Sequence, residues 1–131
     1  MFEEDLRNAR HSVVIESPFI TTKRIRELMP ALRRLRQRGV HIVVNTRDPE
    51  EHDHKYGLQA ASAVQMMQEM DITVLYTVRH HRKLAIIDKK TLWEGSLNIL
   101  SQNDSCEIMR RSVSRKLSKE VISFIDVGRW L

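Results

Sequence analysis

Two kinds of hydrophobic pattern alternate along the chain. Short runs rich in β-branched residues predict buried strands, and longer segments with apolar residues every three or four positions predict amphipathic helices. Strands are predicted at residues 12–20, 40–46, 71–77, 83–89, 91–96 and 106–112. Helices are predicted at residues 23–38, 58–70 and 114–131, with a polar loop at 47–57. This order of elements is that of an α/β protein.

The first and last of these helices each have an apolar face. In the first helix it is formed by Ile25, Leu28, Leu32 and Leu35, and in the last helix by Leu117, Val121, Phe124 and Ile125. Thr21 or Thr22 can cap the start of the first helix, and Gly39 follows its last turn. Pro30 is expected to kink or restart that helix, because proline lacks the N–H that the helical hydrogen bonds need.

The predicted elements assemble into one domain. The strand–helix–strand order over residues 12–46 implies a parallel strand pair joined by a right-handed crossover. Lys89 and Lys90 separate two short strands, which is typical of an antiparallel hairpin. We therefore expect a mixed β-sheet flanked by helices on both faces, in a single domain that spans residues 1–131.

Composition narrows the class of partner. The 131 residues are 41% hydrophobic, so a packed core is expected, and the net charge is +5 with a pI near 9.7. A basic protein favours anionic partners such as nucleic acid or phospholipid. No apolar run reaches the length of a membrane span and the N-terminus lacks the pattern of a secretory signal, so we expect a cytoplasmic protein without a membrane segment. Cys106 is the only cysteine, which excludes a disulfide framework, and no P-loop is present.

Candidate chemistry is concentrated in residues 80–98, HHRKLAIIDKKTLWEGSLN. On a strand, His81 and Lys83 point to the same face. Lysine supplies a fixed positive charge for a phosphate, and histidine can attack or transfer a proton near neutral pH. A hairpin returns Asn98 to the neighbourhood of His81, and Glu107 on the following strand can accept the other imidazole N–H. For the His-Lys pair alone, a solvated strand end is the alternative interpretation.

The complete spacing is more specific than its parts. His-x-Lys, four residues, Asp, six residues, Gly-Ser-x-Asn resembles the HKD motif of the phospholipase D superfamily. The motif positions are His81, Lys83, Asp88, Gly95, Ser96 and Asn98. Residues 15–21, IESPFIT, and 39–47, GVHIVVNTR, resemble the first strand–helix–strand unit of that fold. A closer likeness is to the C-terminal phospholipase D-like domain of some bacterial DNA helicases, which suggests a helicase or ATPase as partner or parent chain.

The resemblance implies a metal-independent phosphodiesterase that needs no cofactor. The reaction would pass through a covalent phosphohistidine, with His81 as nucleophile or acid. Lys83 and Asn98 would hold the non-bridging phosphate oxygens, and Glu107 would orient His81.

Other residues receive supporting roles. Ser96 is a candidate for a hydrogen bond near the phosphate, whereas Asp88 and Gly95 are expected to be structural members of the motif. Arg82 is expected to reach the substrate from within the motif. Ser17, towards the end of the first predicted strand, is a candidate substrate contact.

One copy of the motif is present, whereas the chemistry needs two histidines. We therefore expect a C2 homodimer in which each copy supplies His81, as in the small single-motif nucleases that the chain resembles; a monomer or a fragment is the alternative. Nucleic acid, with DNA favoured, is the expected substrate because two groups of cations could follow a phosphate backbone. They are Lys23, Arg24, Arg26, Arg33, Arg34, Arg36 and Arg38, and Arg110, Arg111, Arg115, Lys116 and Lys119. For the cations at residues 23–38, a solvated helix face is the alternative interpretation.

Two other functions stay open from the sequence. A catalytically silent nucleic-acid-binding domain would keep the fold and the basic surface, and a phospholipid phosphodiesterase is a third interpretation. His52 and His54 could belong to a metal site, but a solvated loop is favoured because two histidines do not complete one.

Overall fold

A computed structural model describes residues 2–101 and 108–131. Its helices are α1 (Phe2–Arg7), α2 (Thr22–Gln37), α3 (His54–Gln68) and α4 (Arg115–Ile125). Its strands are β1 (Ser12–Glu16), β2 (His41–Thr46), β3 (Thr73–Tyr76), β4 (Leu84–Ile87), β5 (Thr91–Gly95) and β6 (Met109–Val113). Short 3₁₀ helices lie at Pro49–Glu51 and Gly128–Trp130.

The described strands form one mixed sheet in the order β3-β2-β1-β4-β5-β6. The strands β1, β2 and β3 are parallel, whereas β4 is antiparallel to β1, β5 to β4, and β6 to β5. The predicted α/β class with a mixed sheet is therefore confirmed. β1 stops at Glu16 and not at residue 20, because Pro18 has no N–H to donate to a neighbouring strand.

The directions of the strands bring the ends of several strands to the same edge region of the sheet, which we call the site end. β1, β2, β3 and β5 finish there, and β4 and β6 begin there. The bounding residues are Glu16, Thr46, Tyr76, Leu84, Gly95 and Met109. The residues that follow β5 and precede β4 are thus brought together by topology alone.

Helices cover both faces of the sheet, as predicted. Val13 and Ile15 belong to a large buried cluster that α1, α2 and α3 cover. Val14, between them, points to the other face and joins a smaller cluster with Ile122 and Ile125 of α4. This alternation along β1 is the period-two pattern of a strand buried on both sides.

The helix α2 begins as predicted but passes through its proline. The Thr21 hydroxyl accepts a hydrogen bond from the Arg24 N–H at 3.2 Å, and Gly39 follows the helix with φ of +80°. The expected break at Pro30 is wrong, since the helix is continuous from Thr22 to Gln37. Pro30 and the carbonyl-bearing residue one turn earlier, Arg26, are both exposed, so water can replace the missing hydrogen bond.

Two helix predictions also needed correction at their ends. The helix α3 starts at His54 and not at residue 58, because the Asp53 carboxylate caps it by accepting the Tyr56 N–H at 3.0 Å. The helix α4 ends at Ile125, where Asp126 adopts a left-handed conformation with φ of +57°. No helix in the described ranges is long and apolar enough to cross a membrane.

Candidate active site

Both halves of the HKD-like motif lie at the site end of the sheet. Lys83 directly precedes β4 and His81 stands two residues earlier, while Ser96 and Asn98 follow β5. The Gly95 N–H donates to the Lys83 carbonyl at 3.3 Å, which fixes the two segments side by side. His81 is exposed, and Lys83 and Asn98 are half-buried. The segments that carry an imidazole, an ammonium group and an amide thus lie at the same end of the sheet.

Gly95 lies where two main chains meet closely. A Cβ atom at this position would stand 1.9 Å from the Ile108 carbonyl oxygen, so no other residue fits without displacing the backbone. Ser96 continues the contact: its N–H donates to the Ile108 carbonyl at 2.9 Å, and its hydroxyl accepts the Ile108 N–H at 3.0 Å. Glu107, the predicted partner of His81, directly precedes Ile108 and lies outside the described residues.

Asp88 lies at the opposite end of β4 from His81. Its carboxylate accepts the main-chain N–H groups of Arg10 at 3.0 Å, His11 at 2.7 Å and Ser12 at 3.2 Å. The residue itself has φ of +56° in the turn between β4 and β5. Asp88 therefore ties the hairpin to the start of β1 and does not reach the phosphate site.

The segment that carries Asn98 is anchored beside the loop after β1. The Ser101 N–H donates to the Asn98 carbonyl at 2.9 Å, and the Thr21 N–H donates to the Leu100 carbonyl at 3.0 Å. Ser17 takes part in the same anchor, since its buried hydroxyl donates to the Phe19 carbonyl and accepts the Leu100 N–H. The expected substrate contact of Ser17 finds no support, because the residue is fully buried and its hydroxyl is occupied.

A buried carboxylate, to which the sequence assigned a place near the site but no role, lies beneath the motif. Glu16, the last residue of β1, accepts hydrogen bonds from His80 Nε2, from Arg82 Nε at 3.0 Å and from Arg82 Nη2 at 3.3 Å. The side chains of Glu16 and His80 are 0% exposed, and that of Arg82 is 37% exposed. Among the described residues, His80 Nδ1 has no hydrogen-bond partner. Arg82, expected at the substrate, is thus engaged by protein.

The loop from β3 to the motif forms further hydrogen bonds, with β2 and with the 3₁₀ helix at Pro49–Glu51. The Thr77 N–H donates to the Thr46 carbonyl at 2.9 Å, and its hydroxyl donates to Asn45 Oδ1 at 2.8 Å. The Arg79 N–H donates to Glu51 Oε1 at 3.0 Å, and Arg79 has φ of +54°. The loop therefore approaches His81 along a path fixed by β2 and by the 3₁₀ helix at Pro49–Glu51.

Several of the predicted nucleic-acid cations serve the protein instead. Arg24 is buried, and its guanidinium contacts Glu3, Glu27 and the Ile99 carbonyl. Arg36 and Arg38 donate to main-chain carbonyls, whereas Lys23, Arg26 and Arg34 are exposed on α2. Fewer cations of this group are available to nucleic acid than the sequence suggested, because counting charges does not reveal which of them contact other groups of the protein.

The second basic group is also partly paired. Arg110 forms an ion pair with Glu94, and Arg111 donates to Asp5 Oδ2 at 2.7 Å. The hydrogen bond from Arg111 lowers the pKa of Asp5 below its ordinary value of 3.8, and a hydrogen bond from Trp93 acts in the same direction. These pairs attach α1 and β5 to β6 and leave less free charge on this surface.

The loop histidines have surroundings unlike those of metal ligands. Within the described ranges, no three His, Cys, Asp or Glu side chains are placed to hold an ion together. The ring of His52 packs on Phe19 with 5.3 Å between centroids, and Arg47 lies 6.0 Å from the centroid of Phe19. His54 is exposed in the first turn of α3.

The fold is similar to that of several solved structures. Nuc, a phospholipase D family member from Salmonella typhimurium, matches with a TM-score of 0.69 and 16% identity, over 93% of this chain and 80% of that chain. NucT from Helicobacter pylori matches with a TM-score of 0.69 and 19% identity, over 93% and 80% of the two chains. Phosphatidylserine synthase from Haemophilus influenzae Rd KW20 has a TM-score of 0.72 and 15% identity, over 95% of this chain and 34% of that one.

A family profile covers nearly the same span as the fold. The family described as "Cardiolipin synthase, PLD-like domain" matches residues 2–126. None of the curated proteins compared with the chain matches it. Because the family match includes almost all of the sheet and its helices, the chain belongs to this family of PLD-like domains and thereby to the phospholipase D superfamily.

Proposed function

We propose that the protein is a metal-independent phosphodiesterase that cleaves nucleic acid through a phosphohistidine. One observation carries the proposal: the pairing of Gly95 with Lys83 brings both halves of an intact HKD-like motif to one end of the sheet, with His81 exposed. The imidazole has to be exposed because the phosphodiester of the substrate reaches it from solvent. Membership of the superfamily supports the same reaction class.

The proposed reaction uses side chains at this end of the sheet. An imidazole nitrogen of His81 attacks phosphorus, and the bond from phosphorus to the leaving oxygen breaks. A second histidine gives that oxygen its proton, then removes a proton from water, which attacks the phosphohistidine and frees His81. Lys83 and Asn98 donate to the non-bridging oxygens, where negative charge is held throughout. We assign to Glu107 the hydrogen bond that orients His81.

We propose that the second histidine comes from a second copy of the chain. His80 cannot supply it, because its side chain is fully buried and bound to Glu16. We propose a homodimer in which the site ends of two copies face each other across a two-fold axis, so that each contributes His81.

Nucleic acid, with DNA first, is the proposed substrate. The net charge of +5 supports an anionic polymer, and Lys23, Arg26 and Arg34 are exposed on α2. Both phospholipids and nucleic acids present phosphodiesters, so the site chemistry alone does not choose between them.

Cleavage in the absence of metal tests the proposal. Labelled single-stranded DNA is incubated in excess EDTA with the wild type, with His81→Ala and with His41→Ala. His41 is the matched control, since it is an exposed histidine at the far end of the sheet. We expect cleavage by the wild type and by His41→Ala, and none by His81→Ala.

Other outcomes separate the remaining functions. If no variant cuts but all bind DNA in a salt-sensitive way, the nuclease proposal fails and a silent binding domain is favoured. If DNA is untouched but phosphatidylglycerol vesicles are hydrolysed in a His81-dependent way, the reaction class stands and the nucleic-acid substrate is wrong.

A further inference from the structure

We infer that Glu16 is a positioning residue that orients His81 by holding the residues on both sides of it. The effect on rate rests on the proposed function, whereas the effect on conformation does not. Glu16 lies 64 residues before His80 in the chain and reaches the motif only through the pairing of β1 with β4. It is therefore outside the motif by sequence and beneath it in space.

The pairing of strands sets the direction of each side chain. Glu16 lies opposite Leu84 in the β1–β4 register. Counting back along an extended chain, residues 82 and 80 share the face of Leu84, and residues 83 and 81 share the opposite face. His80 and Arg82 both contact Glu16, as this alternation requires. A single carboxylate thus fixes the neighbours of His81 on one side and directs His81 and Lys83 to the other.

The buried position of the Glu16 carboxylate makes its hydrogen bonds to the loop residues His80 and Arg82 necessary. Glu16 is fully buried, so its negative charge depends on the donors from His80 and Arg82. A buried, paired charge often adds little net stability compared with an apolar group, and its best-attested use is to specify one arrangement. We therefore assign to this cluster the task of selecting one conformation of residues 80–83.

The imidazole that is bound to a carboxylate is not the proposed nucleophile. His80 is 0% exposed, so no phosphodiester can reach it without opening the core. His81, the residue that matches the motif, is the exposed member of the pair. Glu16 therefore acts on the reaction only through the main chain and not by contact with the substrate.

Glu16→Gln tests this role, with Asp5→Asn as its matched control. Asp5 also accepts three hydrogen bonds, from Trp93 Nε1 at 2.8 Å and from Arg111 Nε and Nη2 at 2.7 and 3.2 Å. Both changes turn a carboxylate that joins a ring N–H to an arginine into an amide. Of these two carboxylates, only Glu16 contacts the loop that carries His81, so an effect common to breaking such a cluster would appear in Asp5→Asn as well.

We expect Glu16→Gln to lower kcat for DNA cleavage by 10- to 100-fold, on the order of the effect of an ångström-scale misplacement of a catalytic group. The dissociation constant for DNA should not change, since Glu16 touches no substrate. Asp5→Asn should keep the wild-type kcat. In NMR spectra, the backbone amides of residues 80–83 should shift in Glu16→Gln and not in Asp5→Asn.

Four results would overturn the inference. Wild-type kcat in Glu16→Gln, or an equal loss in Asp5→Asn, overturns the positioning role. If the wild type does not cleave DNA, the proposed function fails, and unchanged amide shifts at residues 80–83 would then also overturn the conformational role. Should Glu16→Gln not fold, Arg82→Gln removes the same contact from the half-exposed side; a lower kcat supports the inference, and weaker DNA binding at unchanged kcat contradicts it.

Discussion

Gly95 is the residue at which the motif meets the main chain leading into β6. A Cβ atom here would lie 1.9 Å from the Ile108 carbonyl oxygen, which leaves no room for a methyl group. Ser96 bonds to both main-chain groups of Ile108, so any shift at Gly95 also moves the segment that carries Asn98. Position 95 therefore needs glycine because two main chains approach closely there, and not because its backbone has a positive φ.

Gly95→Ala should therefore disturb both stability and activity. We expect a loss of about 1–3 kcal/mol in the free energy of unfolding, the usual cost of forcing extra atoms into a packed site. DNA cleavage should fall with it, because Asn98 is displaced from Lys83. Urea denaturation and the EDTA cleavage assay measure the two effects.

Gly128→Ala is the control for this substitution. A Cβ at Gly128 would stand 3.7 Å from Ile122 Cγ2, an ordinary van der Waals distance. Stability and cleavage should both stay at the wild-type level in this variant. Equal stability of Gly95→Ala and Gly128→Ala would contradict the close approach at Gly95.

The residues of the site were predictable in unequal measure. The spacing of the motif predicted that His81, Lys83, Ser96 and Asn98 would meet, since a hairpin returns the chain to its starting end. The carboxylate that holds His80 and Arg82 was not predictable, because Glu16 is joined to Arg82 across 66 residues by a strand pairing that no local pattern encodes. A charged residue in the β-branched run of residues 12–16 was the one available signal.

At the scale of elements, α4 illustrates what periodicity leaves open. Leu117, Val121 and Phe124 form one stripe at helical spacing, and Ser118, Ile122 and Ile125 form another beside it. The sequence predicts that Leu117, Val121, Phe124 and Ile125 face inward. Ile125 is buried and Val121 packs against the core, but Phe124 is 81% exposed and Leu117 is 36% exposed. Ser118, Ile122 and Ile125 are the buried residues, and Ile122 and Ile125 pack in one cluster with Leu84, Ile86 and Leu92 of the sheet. Periodicity alone could not choose between two adjacent apolar stripes.

Substitutions on the two stripes should differ sharply. Ile122→Ala should lower the free energy of unfolding by about 2–4 kcal/mol, because it removes buried methyl groups and leaves a cavity. Phe124→Ala should change it by less than about 0.5 kcal/mol, since an exposed side chain has little packing to lose. Chemical denaturation of the two variants measures this, and a larger loss in Phe124→Ala would show that the stripe is buried.

At the scale of the whole molecule, the fold supplies one histidine of the two that the proposed reaction needs. At the site end of the sheet His81 is exposed to solvent, whereas its neighbour His80 is buried. A second copy placed across a two-fold axis would complete the site with the same residue. Activity should therefore depend on assembly as well as on the intact motif.

Mixing the wild type with His81→Ala tests this dependence. When equal amounts exchange subunits fully, about one quarter of the dimers contain two wild-type copies, because pairing is random in a C2 dimer. Cleavage should fall to about that fraction of the rate of an all-wild-type sample at the same total concentration. A fall to one half would mean that each copy works alone, and Asp5→Asn in place of His81→Ala should cause no fall.

The separation of Glu16 from the motif has a consequence for folding. Residues 83–95 form a local hairpin whose closure loses little chain entropy, whereas the contact of His80 with Glu16 closes a loop of more than sixty residues. Local contacts of this kind form faster than distant ones. We therefore expect the hairpin, with Lys83 and Gly95, to form before β1 pairs with β4 and before Glu16 can hold the residues on either side of His81. Under the proposed function, a chain in which β1 has not yet docked would not catalyse the reaction.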